Sequence, residues 1–395
     1  MRQLLRDSSA SAIVAGFVAV LVGYTSSVVI VFAAAQALGA TPAQQASWLL
    51  ALGLGMGVTS IGLSLRFRMP VLTAWSTPGA ALIASTQGLS LAEATGAFIA
   101  CGALITLAGV TRTFERVMDR IPHALAAALL AGVLARFGLD AVLAARSAPG
   151  LVLAMAAAYL LGRRAWPRYA VVGVLAVGVL LVWAQGGLQL RELHWAAGWP
   201  VWVAPQFTAA ALVGLALPLF IVTMASQYLP GVAAQRASGY AVPVSPAITA
   251  TGLATLVLAP LGGFALNLAA ITAAICMGRE AHADPARRYP AAIAAGLIYI
   301  MVGLAGGAVA GLFNAFPREM VAALAGLALL GTISSALGAA LAVERHRDAA
   351  ALTFLVTLSG VSWWGVGAAF WGVLAGSAAM LVQHYRRPDP AKTKT

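Results

Sequence analysis

Long runs of apolar residues alternate with short polar breaks along the whole of this chain. An apolar helix of roughly 17–25 residues crosses a membrane hydrocarbon core, and most of the runs reach that length. The pattern predicts fourteen membrane segments, over residues 11–36, 43–65, 71–86, 91–111, 121–138, 149–162, 169–186, 207–229, 245–261, 267–277, 289–313, 319–341, 349–361 and 364–384.

The third and tenth segments are too short to be complete membrane helices. In the third, Ser76 and Thr77 are good helix N-caps, and Pro78 stands where a first helical residue would sit. In the tenth, Asn267 stands in the N-cap position of a helix expected over 268–277. A helix that begins inside the apolar layer directs its first N–H groups at protein or at a cavity, because lipid offers them no partner. The alternative is an ordinary capped helix that follows a loop.

The composition indicates a membrane protein. Of the 395 residues, 61% are hydrophobic and 9% are charged, whereas soluble domains carry roughly 25% charged residues. We therefore expect an all-α polytopic membrane protein that is surrounded by membrane lipid. The formal net charge of +12 does not indicate a nucleic-acid partner, because the Lys and Arg residues stand in short breaks between apolar runs.

The distribution of positive charge predicts the orientation. With the N-terminus in the cytoplasm, the 24 Lys and Arg residues fall in cytoplasmic segments except for Arg136, Arg146, Arg191 and Arg318. A wrong number of spans would invert this bias in part of the chain. We expect a multi-pass protein of the inner (cytoplasmic) membrane with both termini in the cytoplasm.

The reactive side chains do not indicate an enzyme. Cys101 and Cys276 lie inside apolar runs, which argues against a disulfide and against a metal site. No acid–base pair, metal cluster or activated nucleophile stands at depth, so we expect neither catalysis nor a cofactor. A channel would need a polar stripe along several helices, whereas the polar residues gather near two helix starts. A secondary transporter fits this pattern better.

Fourteen segments divide into two halves of seven, and the two short segments take corresponding places in their halves. Ala-Ala-Gln at 34–36 and again at 233–235 supports the division. Because seven is odd, the halves would cross the membrane in opposite orientations. Interrupted segments at matched positions of an inverted repeat indicate the binding site of a transporter.

Three stretches resemble the BenE family of benzoate/proton symporters: GFVAVLVGYTSS at 16–27, PVLTAWSTPGAAL at 70–82 and GGFALNLAAITAAICMG at 262–278. A fourth, LAGLALLG at 324–331, is similar but nearly generic for an apolar helix. This family is similar to the larger group of uracil, purine and anion transporters with seven-plus-seven inverted repeats. The resemblance implies import of benzoate, or of a similar aromatic carboxylate, together with a proton.

The resemblance also implies a core domain that moves against a gate domain. The core would comprise residues 1–120 and 205–315, and the gate 121–204 and 316–385, with a cytoplasmic tail over 386–395. The substrate would lie between the third and tenth segments, flanked by the first and the eighth. The alternatives are transport of another small anion or a nucleobase on the same architecture, or an anion channel. The oligomeric state stays open, and a homodimer is one possibility.

Uncharged polar side chains at depth are the candidates for substrate binding. Asn267 is a buried amide that needs several partners. Gln227 shares the end of the eighth span with Pro230, where the helix would open. Tyr24 would contact an aromatic ring by its edge or would serve packing alone. The remaining candidates carry hydroxyl groups at the two short segments: Ser76, Thr77 and Thr272.

The chain departs from the uracil-type relatives in one respect. Those relatives carry carboxylates in the eighth and tenth spans, where this chain has Ser226, Gln227 and Asn267. All twelve acidic residues stand in loops or near span ends, so the residue that carries the proton is not assigned. A second group of polar residues is expected to bond to its own helix backbone or to glue neighbouring helices: Ser26, Ser27, Thr59 and Thr106.

Overall fold

The computed structural model of the chain describes residues 6–114, 123–165, 170–186, 197–241, 243–279, 281–314, 316–361, 363 and 368–384. In this part, helices and two short strands follow the fourteen predicted segments: α1 (Ala10–Ala37), α2 (Pro42–Phe67), β1 (Thr73–Trp75), α3 (Thr77–Ser85), α4 (Leu91–Val110), α5 (His123–Ala144), α6 (Pro149–Ala165), α7 (Ala170–Ala184), α8, α9 (Val244–Leu258, then a 3-10 turn Ala259–Leu261), β2 (Leu266–Leu268), α10 (Ile271–Met277), α11 (Tyr289–Leu304, then Gly306–Asn314), α12 (Arg318–Leu341), α13 (Arg347–Ser359) and α14 (Ala368–His384). The helix α8 is continuous and changes pitch along its length, through Ala209–Ala211, Leu212–Ala216, Leu217–Thr223, Met224–Tyr228 and Leu229–Ala237.

The helix lengths agree with a polytopic membrane fold. Six helices of the described part, namely α2, α4, α5, α8, α9 and α12, are long and apolar enough to cross a membrane by themselves. The two parts of α1, Ala10–Tyr24 and Ser27–Ala37, meet at 42° and make a seventh span if they are counted together. The predicted all-α polytopic class is confirmed, apart from two strands of three residues each.

The two short segments meet as a two-stranded antiparallel sheet, which we call the ribbon (β1 and β2). Ala74 pairs with Asn267, and the flanking residues pair in register around them. Two further backbone bonds extend the ladder, from Ser76 N to Ala265 O at 3.0 Å and from Ala269 N to Leu72 O at 2.9 Å. The prediction that the third and tenth segments meet is confirmed.

The outer edges of the ribbon bond to side chains of neighbouring helices. On the β1 edge, Thr73 N donates to Ser60 Oγ at 3.0 Å and Val71 N donates to Ser64 Oγ at 3.1 Å. On the β2 edge, Leu266 N donates to Thr255 Oγ1 at 3.0 Å, and the hydroxyl of Tyr228 donates to Leu266 O at 2.9 Å. Hydroxyl groups of α2, α8 and α9 thus take the place of a third and a fourth strand.

The helix α3 begins almost where the sequence predicts. Ser76 is its N-cap and accepts a hydrogen bond from Gly79 N at 3.0 Å. Thr77 is the first helical residue, so the helix begins one residue before the predicted start at Pro78. Proline is tolerated there because its missing N–H would have no partner inside the helix.

The expectation that Asn267 caps a helix over 268–277 is wrong. Asn267 lies in the middle of β2, and α10 begins four residues later at Ile271. The reason is the pairing with β1, which satisfies the backbone around Asn267 through a strand ladder. A local pattern predicts a cap, but the partner strand comes from the other half of the chain.

Two helix contacts show the inverted repeat. The helix α2 packs on α11, and α4 packs on α9. Since α2 and α9 occupy the same place in their halves, as do α4 and α11, the repeat relates one contact to the other. Glycine permits both: a Cβ on Gly57 would lie 2.6 Å from Gly296 O, and a Cβ on Gly252 would lie 2.6 Å from Thr106 N. The structure therefore confirms two halves of related architecture.

The remaining helices pack mainly on one another. The helix α5 contacts α12, α13 and α14, while α6 contacts α7 and α12. Two sets of contacts join this group to the helices around the ribbon: α5 packs on α3 and α8, and α12 packs on α1.

We expect Ser60→Ala to lower the free energy of unfolding by about 1–3 kcal/mol, because the buried N–H of Thr73 loses its acceptor. Denaturant unfolding of the purified protein in detergent micelles measures this loss. Ser85→Ala is the matched control, because Ser85 Oγ donates to Leu82 O and Thr86 Oγ1 donates to the same carbonyl. Equal losses in the two variants would contradict a special role for the ribbon edge.

Candidate functional site

The start of α3 joins α8 through hydroxyl groups. Ser76 is fully buried, and Thr223 Oγ1 of α8 donates to Ser76 Oγ at 3.0 Å. Leu219, one turn earlier in α8, packs beside Gly79. Thr77 lies half-buried at the first position of α3. This contact places α8 directly against the N-terminal end of α3.

Gln227 lies in a π-helical segment of α8, Met224–Tyr228. Thr223, Gln227 and Gly231 are spaced by four and so lie on one side of the helix. The first of these contacts Ser76, and a Cβ on Gly231 would lie 2.7 Å from Leu268 Cβ. Gln227 therefore lies along α8 between a residue that contacts Ser76 and one that packs on Leu268.

The predicted opening of α8 near Pro230 does not occur. The helix continues to Ala237 and takes up the irregularity as the π-helical segment Met224–Tyr228. Wide turns of this kind are frequent at functional sites.

Asn267 is fully buried at the centre of β2. Its Nδ2 donates to Ala265 O at 3.2 Å, while its Oδ1 has no hydrogen-bond partner among the described residues. Leaving a buried polar atom unpaired costs about 1–3 kcal/mol. The amide thus retains hydrogen-bonding capacity next to the ribbon, at a cost to stability that a bound ligand would offset.

Aromatic rings pack on the β1 side of the ribbon. The ring of Tyr24 contacts Trp75 edge to face, with centroids 4.8 Å apart, and lies 6.0 Å from the ring of Tyr299. The Tyr24 hydroxyl is buried and has no partner in the described part of the chain. Trp75 Nε1 donates to Ser27 Oγ at 3.0 Å, which fixes the indole plane.

Thr272 lies close to the same aromatic rings. A Cβ on Gly23 would lie 3.4 Å from Thr272 Cγ2 and 3.5 Å from the Tyr299 hydroxyl oxygen. Thr272, in the first turn of α10, therefore faces α1 and α11. The structure brings Tyr24 and Thr272 to one side of the ribbon, and Ser76 and Gln227 to the side of α8.

Three residues of this region are absent from the sequence-based candidates: Trp75, Thr223 and Tyr299. Trp75 lies in the stretch 70–82, which the sequence analysis singled out. An aromatic residue in an interrupted span could therefore have been proposed as a candidate from the sequence. Thr223 and Tyr299 lie in ordinary apolar helices, where nothing local separates a site residue from a packing residue.

The structural role predicted for three other hydroxyls is confirmed. Ser27, Thr59 and Thr106 each donate to the carbonyl four residues earlier, at 2.8, 2.6 and 2.7 Å. The side chain of Ser26 lies outside the described residues. Thr59 also contacts Thr73 Oγ1 at 2.7 Å, so one hydroxyl of this group supports the ribbon as well.

The assembled region is polar without being charged. Its hydroxyl and amide groups surround the start of α3, whose N-terminus carries a partial positive charge of about half an elementary unit. The aromatic rings of Tyr24 and Trp75 supply an apolar surface nearby. Such a combination suits a small organic anion with an aromatic part.

Comparison with known proteins identifies the family. The family model BenE, described as "Benzoate membrane transport protein", matches residues 6–382. The chain belongs to this family. It is therefore a membrane transporter, as the sequence motifs indicated.

Two curated relatives span almost the whole chain. The "Inner membrane protein YdcO" of Escherichia coli (strain K12) is 49% identical over 371 residues, which cover 94% of this chain and 95% of the relative. The "Benzoate membrane transport protein" of Acinetobacter baylyi is 41% identical over 383 residues, covering 97% of each chain.

Solved structures share the architecture at low sequence identity. The transmembrane domain of a cyanobacterial bicarbonate transporter, BicA, matches with a TM-score of 0.60 and 13% identity over 94% of this chain and 97% of that chain. The murine Solute Carrier 26 family member A9 anion transporter, in the inward-facing state, matches with a TM-score of 0.58 and 14% identity over 95% of this chain and 68% of that chain. These matches support the seven-plus-seven fold.

Proposed function

We propose that this transporter imports benzoate, or a similar aromatic carboxylate, together with a proton across the inner membrane. The observation that carries the proposal is the group of uncharged polar side chains beside aromatic rings at the ribbon. Membership of the benzoate transport family supports the substrate class. The name of the Acinetobacter baylyi relative supports benzoate as the substrate. The name of the Escherichia coli relative supports the inner membrane as the location.

The carboxylate binds at the N-terminal end of α3 in this proposal. The N–H of Thr77 and the partial charge at the start of α3 stabilise the anion without a Lys or Arg residue, since Pro78 has no N–H and Gly79 N donates to Ser76 Oγ. The Ser76 and Thr77 hydroxyls and the amides of Gln227 and Asn267 complete the polar side. The ring of the substrate rests against Tyr24, with Thr272 nearby.

The unpaired Oδ1 of Asn267 accepts a hydrogen bond, whereas the helix start donates. A site with an acceptor beside donors can hold a carboxyl group in either protonation state. That property suits a proton that crosses the membrane with the substrate, and it fits a chain whose acidic residues all stand in loops or near span ends.

Transport proceeds by alternating access of a core against a gate. In this proposal the core comprises 1–120 and 205–315, which include the ribbon, and the gate comprises 121–204 and 316–385. The packing of α5 on α12, α13 and α14 supports the gate as a unit. A covalent cross-link between core and gate that leaves uptake unchanged would contradict this mechanism.

A nucleobase or another small anion is the alternative substrate. The amides of Gln227 and Asn267 offer the paired donors and acceptors that a nucleobase edge needs. Competition decides between them: inhibition of uptake by uracil, with no inhibition by aromatic carboxylates, would favour the alternative.

We expect uptake of benzoate into proteoliposomes to follow an imposed pH gradient and to saturate. Co-transport of one proton with a monoanion moves no net charge, so a potassium potential imposed with valinomycin at equal pH should drive no accumulation. Liposomes without protein are the control. Accumulation driven by voltage alone, or uptake that never saturates, would contradict proton symport.

We expect Asn267→Ala to weaken benzoate binding roughly ten- to hundredfold, the effect of losing a hydrogen bond from the second N–H of Asn267 Nδ2, whose first N–H donates to Ala265 O, to the charged carboxylate. Gln45→Ala is the matched control, because Gln45 is also a buried amide with one bond, from Nε2 to Ala40 O, and an unpaired Oε1, but it lies at the start of α2. Binding to purified protein measures both. An unchanged affinity in Asn267→Ala would place the site elsewhere.

We expect a cysteine at position 318 to react with a membrane-impermeant maleimide on intact cells, and one at position 164 to react only after the cells are opened. Both native arginines are exposed, at the start of α12 and the end of α6. The background carries Cys101→Ala and Cys276→Ala, which remove two fully buried thiols. The opposite labelling pattern would reverse the proposed cytoplasmic location of both termini.

A further inference from the structure

A cavity of about 630 Å³ lies apart from the ribbon, at the end of the molecule that carries the N-terminal segment. Three stretches that are distant in sequence form it: the residues before α1, the connection from α2 to β1, and the connection from α10 to α11. Its lining is mostly charged and consists of Arg6, Asp7, Arg68, Asp284, Ala286, Arg287 and Tyr289. We call it the arginine cavity.

The two carboxylates of the arginine cavity are already engaged. Asp7 accepts from the Tyr289 hydroxyl at 3.0 Å and lies 3.8 Å from Arg287 Nε. Asp284 accepts from Ala286 N at 2.9 Å and also lies 3.8 Å from Arg287 Nε. Both acids therefore compensate the same arginine.

The positive charges of Arg6 and Arg68 are not offset by a nearby carboxylate. No carboxylate of the described residues lies within 4.0 Å of either guanidinium group. A further cation stands close by, since the buried Arg288 donates to the carbonyls of Met277 and His282, both at 2.7 Å. The arginine cavity therefore has a surplus of positive charge.

The backbone at Arg68 supplies a second observation. Arg68 ends α2 in the left-handed conformation, with φ 51° and ψ 38°, where glycine is the unstrained residue. A residue with a Cβ costs roughly 1–2 kcal/mol in that conformation. The chain carries an arginine here, and its side chain lines the cavity.

We propose that the arginine cavity binds the phosphate group of an anionic ligand. Guanidinium groups match phosphate oxygens in pairs, and Arg6 and Arg68, which come from two separate segments, offer their donors to one group. The volume exceeds that of a phosphate ion and leaves room for a phospholipid headgroup. Basic pockets at the ends of membrane helices bind such headgroups. A free phosphate and an anionic lipid are the two sources of this chemistry.

Occupation of the arginine cavity ties together the segments that lead into the ribbon and into α11. Arg68 stands five residues before β1, and Tyr289 is the first residue of α11. A bound phosphate therefore stabilises the folded protein, because it binds a site that exists only when the three segments meet.

The test uses the purified full-length protein with two probes. Inorganic phosphate is titrated in detergent against chloride at equal ionic strength, and nanodiscs of phosphatidylglycerol are compared with nanodiscs of phosphatidylcholine. Thermal unfolding and equilibrium binding are the readouts. We expect a higher Tm with phosphate, with phosphatidylglycerol or with both, and the effective probe identifies the source.

Arg68→Asn removes the charge and keeps a residue that tolerates the left-handed conformation. We expect it to weaken binding of the effective probe at least about tenfold, the loss of one or two charge-assisted hydrogen bonds. Arg6→Gln, which lies before α1, should do the same without a change in the Tm of the protein alone. Arg347→Gln is the control, because Arg347 is exposed and lies 3.6 Å from Glu344, in another connection.

Two results would overturn the proposal. One is a Tm that neither probe raises above its chloride or phosphatidylcholine reference. The other is binding that Arg68→Asn and Arg6→Gln leave unchanged, or that Arg347→Gln weakens as much as they do. Neither readout depends on benzoate, so the result stands apart from the test of transport.

Discussion

The structure depends on the requirement that a strand pair inside an apolar layer leave no backbone group unpaired. Lipid cannot accept or donate a hydrogen bond, so an open strand edge at that depth is strongly unfavourable. Side chains form hydrogen bonds with both edges of the ribbon: Ser60 and Ser64 with the β1 edge, and Thr255 and Tyr228 with the β2 edge. Removing any one of these hydroxyls leaves a buried backbone N–H or C=O group without this partner.

This pairing determines where the two interrupted spans meet. Each half of the chain interrupts one span to supply a strand, and each strand is followed by a short helix. The helix α3 therefore begins within the protein, with Ser76 at its start and α8 beside it. The same interruption leaves Asn267 buried and incompletely paired.

Close packing of small residues supports the ribbon from both sides. The contacts of α2 with α11 and of α4 with α9 bring backbone against backbone, with Gly57 and Gly252 at the points of closest approach. Helices in such contact have little freedom to slide, because sliding would bring residues with larger side chains to the points where only glycine fits. A rigid frame around the ribbon is what a transporter needs if one domain moves as a unit against another.

Features that depend on local chemistry follow from the sequence alone. Hydropathy predicts the fourteen segments, and Ser76 with Pro78 predicts the start of α3. Other features depend on contacts between segments that are distant in sequence. Asn267 reads locally as a helix cap, yet it is a strand residue because its partner, Ala74, lies in the other half of the chain. Gln227 was predicted beside an opening helix, but the continuous α8 widens instead at Met224–Tyr228. Trp75, Thr223 and Tyr299 lie beside the predicted candidates through contacts between distant segments, and such contacts leave no local pattern in the residues that make them.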